Sequence, residues 1–214
     1  MSKISESDLL VLQALRVKGF VDTEAVAETV GLSQEDTLNM LNQFAEEGRV
    51  SYREGRMVGW MITSEGRSYG EQLLANEVDS LGIRLEIETS YKEFSRLNND
   101  FKELCTDWQL KPSLDASGVE QVLNDHSDPD YDKGVIDRLV ELDKQAQPVC
   151  ASLAEQLERF SSYGSRFTHA LEMVLKGDTD WIAKPMIESY HTVWFELHEN
   201  FFSTLGIDRA SEST

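Results

Sequence analysis

The chain is short of basic residues, and this shortage limits the partners it can have. Among its 214 residues, 20 are Lys or Arg and 39 are Asp or Glu, so the formal net charge at pH 7 is −19. Acidity of this size keeps a protein soluble, and over most of the surface it repels nucleic acid. The composition therefore counts against DNA as a partner.

The sequence also lacks the segments that would take it into or across a membrane. No apolar run approaches the roughly 20 residues that a membrane-spanning helix needs. The first ten residues, MSKISESDLL, do not have the apolar core of a signal peptide. The two cysteines, Cys105 and Cys150, do not form a CxxC pair and are expected to be reduced thiols. Together these absences predict a cytoplasmic protein with no membrane partner.

Motifs that are typical of enzymes are missing as well. The sequence has no P-loop, no GxGxxG and no GxSxG. The aspartates between Asp125 and Asp132 lack the twelve-residue order and the closing glutamate of a calcium loop. We therefore expect a protein that is not an enzyme and that carries no cofactor and no metal.

The first 75 residues are predicted to form three short helices, a β-hairpin and a further helix. Apolar residues recur at helical spacing over residues 4–17, and Gly19 ends that helix. The next two helices begin after the capping residues Asp22 and Ser33. The apolar period then changes to that of strands over residues 50–62.

This order of elements resembles the winged helix-turn-helix of MarR- or PadR-type transcriptional regulators over roughly residues 6–76. The stretch that carries the resemblance is VAETVGLSQEDTLNMLNQFAEEGRVSYREGRMVGWMITSEGR. The matching framework positions are Val26, Ala27, Val30, Gly31, Leu32, Leu41, Phe44, Gly48 and Val50. Ala27 lets two helices cross closely, and Gly31 accommodates the left-handed turn between them. The resemblance implies a homodimer that binds double-stranded DNA.

The resemblance also implies which residues contact the DNA. In a winged helix the second helix of the motif enters the major groove, and the hairpin reaches the minor groove or backbone. The DNA-binding residues expected on this basis are Ser33, Gln34, Asn39, Gln43, Arg49, Arg53, Arg56 and Arg67.

The charge around the motif leaves an alternative open. No Lys or Arg occurs between Gly31 and Arg49, and Glu35 and Asp36 would face phosphate. Residues 1–75 carry 7 basic and 12 acidic side chains, and the remainder carries 13 and 27. The alternative is a non-enzymatic regulatory or scaffolding protein whose winged helix binds another protein. A continuous strip of the four predicted arginines would favour DNA.

From residue 77 onward the sequence is predicted to be helical throughout. Apolar residues recur about every 3.5 positions over residues 73–108, with Gly82 as a break. A loop rich in Ser, Gly, Asn and Asp is predicted from Pro112 to about Pro129.

The remaining helices are expected over residues 130–163, with an interruption at Pro148, and over residues 165–176. A last helix holds Pro185 in its first turn. Short connections between these helices predict a bundle that dimerises and/or senses a small effector. The chain as a whole is thus expected to be mainly α. It would have an N-terminal winged helix-turn-helix domain (1–76), with a small β-hairpin wing, and a C-terminal all-α helical bundle (77–214).

The stretch SYHTVWFELHENFF (residues 189–202) places two histidines on one helical face. One interpretation, which we favour, is a packed inner face with both histidines buried against carboxylates. A metal site would need more ligands than the single Glu188–His191 pair. The third interpretation is a pocket for a small effector, and its expected lining residues are Trp108, Tyr190, His191, Trp194 and His198.

Overall fold

A computed structural model describes residues 2–55, 58–115 and 118–208. Within these ranges the protein is mainly α, with 71% helix, nine α-helices and two small antiparallel β-hairpins. The prediction of a mainly α protein is therefore confirmed. No helix in the described ranges is long and apolar enough to cross a membrane.

The chain folds as two compact units. The first comprises residues 1–88, 155–159 and 195–214, and the second comprises residues 89–154 and 160–194. The first unit therefore includes two segments from the C-terminal half of the chain. The sequence-derived domains, 1–76 and 77–214, do not group these segments with the N-terminal part.

Three of the four helices in the N-terminal part begin directly after a residue whose side chain caps them. In chain order they are α1 (Ser7–Lys18), α2 (Thr23–Val30), α3 (Gln34–Glu46), β1 (Val50–Arg53), β2 (Gly59–Ile62) and α4 (Ser64–Leu81). The side chains of Asp22, Ser33 and Thr63 each accept a hydrogen bond from a backbone N–H in the first turn of α2, α3 and α4. Gly31 ends α2 in the left-handed conformation, with φ at 70°.

The hairpin is joined to the start of α4 by a close backbone contact. Thr63 donates its hydroxyl to the carbonyl oxygens of Gly48 and Arg49, at 2.8 and 2.9 Å. Its backbone N–H donates to the same Arg49 oxygen, at 3.0 Å. A Cβ on Gly66 would lie 1.9 Å from that oxygen. Only glycine therefore allows α4 to approach the hairpin so closely.

The core of this unit lies between the inner faces of α1, α2 and α3 and the hairpin. Its fully buried residues include Leu12, Leu15, Val26, Leu41 and Phe44. Trp60 on β2 adds to the core, and its indole N–H donates to the Thr23 hydroxyl at 3.0 Å. Because α3 buries one face in this core, its opposite face is left exposed.

The rest of the chain contains a strand pair as well as helices. In order, its elements are α5 (Arg84–Gln109), β3 (Leu110–Asp115), β4 (Gly118–Leu123), α6 (Pro129–Gln156), a 3₁₀ turn (Glu158–Phe160), α7 (Tyr163–Leu175), α8 (Asp180–Ala183) and α9 (Tyr190–Leu205). The all-α prediction for residues 77–214 is therefore wrong at β3 and β4, which pair antiparallel. A two-stranded ribbon has backbone N–H groups that point away from its partner, so Pro112 is tolerated there.

Two helix boundaries also differ from those predicted. Helix α6 runs through Pro148 without interruption. Its neighbours Ala146, Val149 and Cys150 are buried, and this packing offsets the hydrogen bond that proline removes. The last helix begins at Tyr190 and not near Pro185, because Ser189 caps it by accepting from the Thr192 N–H at 3.3 Å.

Candidate functional site

The four polar residues predicted on α3 and at its N-cap are all exposed, and three of them contact carboxylates of the same unit. The Ser33 hydroxyl donates to Asp36 at 2.6 Å. Gln34 donates its amide N–H to Glu24 at 3.2 Å, and Gln43 donates to Glu47 at 3.1 Å. The fourth residue, Asn39, makes no side-chain hydrogen bond with any residue in the described ranges. The other three amides and hydroxyls are therefore held by carboxylates.

The outer face of α3 is acidic and contains an exposed leucine. Residues 35, 38, 42 and 46 follow one another at spacings of three and four, so they lie on one face. They are Glu35, Leu38, Asn42 and Glu46, and all four are exposed, with Leu38 at 42%. The opposite face, with Thr37, Leu41 and Phe44, is buried. We call Glu35, Leu38, Asn42 and Glu46 the outer α3 face.

Arg49, which follows α3, does not extend into solvent as a free cation. Its guanidinium group lies 2.5 Å from a Glu47 carboxylate oxygen. The same group stacks on the ring of Tyr69, with 3.5 Å between the guanidinium carbon and the ring centroid. Glu47 thus receives both Arg49 and the amide of Gln43. These contacts hold Arg49 half-buried beside the hairpin.

The cations on α1 are engaged in the same way. Arg16 contacts Glu71 at 2.6 Å and Glu199 at 3.0 Å. Lys18 lies 3.4 Å from Glu196. Both cations are therefore neutralised by carboxylates of α4 and α9 within the first unit.

The remaining two predicted arginines with described positions differ in setting. Arg67 lines a cavity of about 480 Å³ together with Arg16, Glu71 and Glu199. Arg53 is exposed on β1 and makes no ion pair within the described ranges. Arg56 lies outside the described residues. Of the four predicted arginines, Arg53 and Arg67 are both exposed and make no ion pair within the described ranges.

In the second unit, the aromatic residues predicted to line a pocket are packed. Tyr190 and Trp194 are both buried. The ring of Trp194 lies 4.6 Å from those of Phe94 and Phe101, centroid to centroid. Its indole N–H donates to the amide oxygen of Asn98 at 2.9 Å. The polar atom of Trp194 is thus satisfied by the protein itself, as expected for a packed core.

The other predicted pocket residues lie elsewhere. Trp108 stacks on His126, with 4.4 Å between ring centroids. His198 packs against Phe202 at 4.2 Å. His191 is exposed and His198 is half-buried, so the prediction that both histidines are buried is wrong. Packing on one side of its ring still desolvates the imidazole and lowers the pKa of His191.

The burial pattern of α9 explains the position of His191. The buried hydrophobic residues of the first half of α9 are Tyr190, Val193, Trp194 and Leu197. His191 comes directly after the buried Tyr190 in the sequence, so its side chain points to a different side of the helix from the buried residues. Within the described ranges, no three His, Cys, Asp or Glu side chains are arranged to hold a metal ion.

A buried carboxylate in the second unit was not predicted from the sequence. Asp143 on α6 accepts hydrogen bonds from the Tyr190 hydroxyl and the Gln147 amide, each at 3.1 Å. Burial raises the pKa of Asp143, and it raises the pKa of the neighbouring Cys150 thiol to about 12. The sequence contains one signal of this burial, because Asp143 follows Leu139 by four residues and so lies on the apolar stripe of α6.

Comparisons of the chain with protein-family models, with curated proteins and with solved structures found no match.

Proposed function

We propose that the N-terminal part of the first unit is a winged helix-turn-helix module that binds a partner protein through the outer α3 face. The order of elements supports this proposal, because α2 and α3 are joined through the left-handed Gly31 and are followed directly by the β1–β2 hairpin. The observation that carries the proposal is the composition of the outer α3 face. It presents two carboxylates and a 42% exposed leucine where a DNA-reading helix presents cations.

The electrostatics favour a protein over DNA. Affinity for DNA comes largely from Lys and Arg side chains that neutralise phosphates. Arg16, Lys18 and Arg49 are already held by carboxylates of the same unit. Glu35 and Asp36 lie in the first turn of α3, where carboxylates stabilise a helix by about 0.3–1 kcal/mol. They therefore contribute to the fold of α3 while they repel phosphate.

DNA binding is the second candidate, and two observations favour it. Arg53 is exposed on β1, where wings commonly meet DNA. Gln34, Asn39 and Gln43 are exposed amides, and amide side chains can pair with adenine in the major groove. On this alternative the protein would bind as a homodimer, since two half-sites require two copies.

A genomic selection separates the two candidates. Purified full-length protein is incubated with sheared genomic DNA at about 50 mM salt, and bound fragments are recovered and sequenced. The proposal predicts no enrichment. Enriched fragments whose affinity falls in Arg53→Ala/Arg56→Ala, with a shallower salt dependence, would establish DNA binding in its place.

The protein-binding proposal is tested by measuring how much partner protein is captured by the parent protein and by two variants. The triple variant Glu35→Gln/Leu38→Gln/Glu46→Gln keeps helix-compatible residues and removes the charge and the apolar group of the outer α3 face. A matched control is Glu172→Gln/Leu175→Gln on α7, where Leu175 is 59% exposed. A partner lost by the triple variant and retained by the control supports the proposal. Equal capture by all three proteins contradicts it.

A further inference from the structure

The outer α3 face has the dimensions of a docking strip for a short segment. Glu46 follows Glu35 by eleven positions, which corresponds to about 16 Å along a helix axis. Leu38 lies between them, about 4.5 Å from the position of Glu35 along the same axis. The strip therefore places one apolar contact between two negative charges. Its length matches about three helical turns or five extended residues of a partner.

The side chains of this strip have no competing contacts in the described part of the chain. Glu35, Asn42 and Glu46 make no ion pair or side-chain hydrogen bond with any residue in the described ranges. The nearest cation in sequence is Arg49, which Glu47 and Tyr69 already hold. A partner can therefore reach both glutamates without breaking an existing pair.

From this charge pattern we infer that the partner of the outer α3 face is a basic amphipathic segment of another protein. In it, an apolar side chain packs on Leu38, and Lys or Arg side chains on either side face Glu35 and Glu46. This inference rests on the proposed function and names the chemistry of its partner. The apolar contact at Leu38 provides most of the affinity, and the charges on either side provide orientation and salt dependence.

Other classes of ligand fit the strip less well. Phosphate-bearing ligands are repelled by the two glutamates and by Asp36 beside them. A small cation would lack enclosure, because small-molecule sites are concave and the outer face of a single helix is convex. A linear segment needs no cavity, since it can lie along the helix and use its side chains one after another.

A random 12-residue peptide library displayed on phage tests the inference. Immobilised full-length protein is used for selection, and the triple variant Glu35→Gln/Leu38→Gln/Glu46→Gln is used for counter-selection. We expect enriched peptides to carry at least two Lys or Arg around an apolar residue. The enriched peptides, synthesised with a fluorescent label, should bind the triple variant at least about tenfold more weakly than the parent protein.

Variants with fewer substitutions separate the contribution of Leu38 to peptide affinity from that of the two glutamates. Leu38→Gln alone should account for most of that loss, whereas Glu35→Gln/Glu46→Gln should weaken binding severalfold and flatten its salt dependence. The control Glu172→Gln/Leu175→Gln should leave the affinity unchanged. Circular dichroism of each variant separates loss of binding from loss of fold.

Three outcomes would overturn the inference: no enrichment, enrichment of peptides without net positive charge, or equal affinity for the triple variant. A failure of the proposed protein-binding function gives different results from a failure of the inference about the basic segment. Neutral or acidic peptides that still depend on Leu38 would reject the basic segment and leave protein binding in place. An empty peptide selection together with enriched genomic DNA would reject both.

Discussion

The contact between Gly66 and the Arg49 carbonyl gives a stability prediction that can be worked out from distances. In Gly66→Ala, the new Cβ would lie 1.9 Å from the Arg49 oxygen and 2.9 Å from a side-chain carbon of Ile62. Neither distance is a permitted contact, so the start of α4 must move away from the hairpin. That movement strains the packing, at about 1–3 kcal/mol, and weakens the two hydrogen bonds from Thr63 to the same oxygen, at about 1 kcal/mol each.

Alanine also has a better helix propensity than glycine, by roughly 0.5–1 kcal/mol, and this partly offsets the strain. The net expected loss in the free energy of unfolding is about 2–4 kcal/mol. Gly70→Ala on the same helix is the control, because its Cβ would lie 3.7 Å from that of Leu12, an ordinary contact. Gly70→Ala should leave stability unchanged or raise it by up to about 1 kcal/mol.

Urea unfolding followed by circular dichroism measures both variants against the parent protein. If Gly66→Ala unfolds at the parent's urea midpoint, the proposed close approach of α4 to the hairpin is wrong. If both alanine variants lose stability equally, the effect belongs to helix α4 in general and not to the Arg49 oxygen.

Three further predictions concern other parts of the chain. Burial raises the pKa of Asp143 in the fold, so the second unit should lose stability as pH rises above the ordinary aspartate range. Asp143→Asn should remove this pH dependence and raise the urea midpoint at pH 7. A difference between the urea midpoints of the two proteins that stays constant from pH 4 to 7 would contradict this prediction. Gln13→Ala removes buried hydrogen bonds to Asn200 and Ser203 and should cost about 1–3 kcal/mol in urea unfolding, whereas exposed Gln34→Ala should change stability by no more than about 0.5 kcal/mol. Sedimentation at micromolar concentration should give a dimer mass, and a mass near 24.3 kDa would argue against it.

Local elements of the fold could be predicted from the sequence because their signals are local. The caps at Asp22 and Ser33 and the left-handed Gly31 each depend on residues within a few positions. The break at Gly82 was predicted for the same reason, since Gly82 ends α4 in the left-handed conformation. The β3–β4 hairpin was missed because proline and a Ser- and Gly-containing stretch indicate a loop when cross-strand partners are unknown.

Contacts between distant parts of the chain could not be predicted in this way. Gln13 lies 187 residues from Asn200, yet its buried amide donates to that residue at 3.0 Å. Nothing in the pattern of α1 names a partner so far along the chain. For the same reason the sequence-derived boundary after residue 76 separates α1 from residues 195–205 of α9, which belong to the same compact unit.

The candidate site shows why residue type alone does not decide function. Arg49 has the residue type expected for phosphate contact, and a count of charges treats it like Arg53. The fold distinguishes them, because Glu47 and Tyr69 hold Arg49 while Arg53 stays exposed. Among the described cations of the N-terminal part, Arg16, Lys18 and Arg49 have carboxylate partners, whereas Arg53 and Arg67 are exposed without an ion pair and remain able to attract phosphate. The same arrangement that weakens the case for DNA leaves Leu38 between two carboxylates that make no ion pair with any described residue, which is the chemistry that a basic amphipathic segment would recognise.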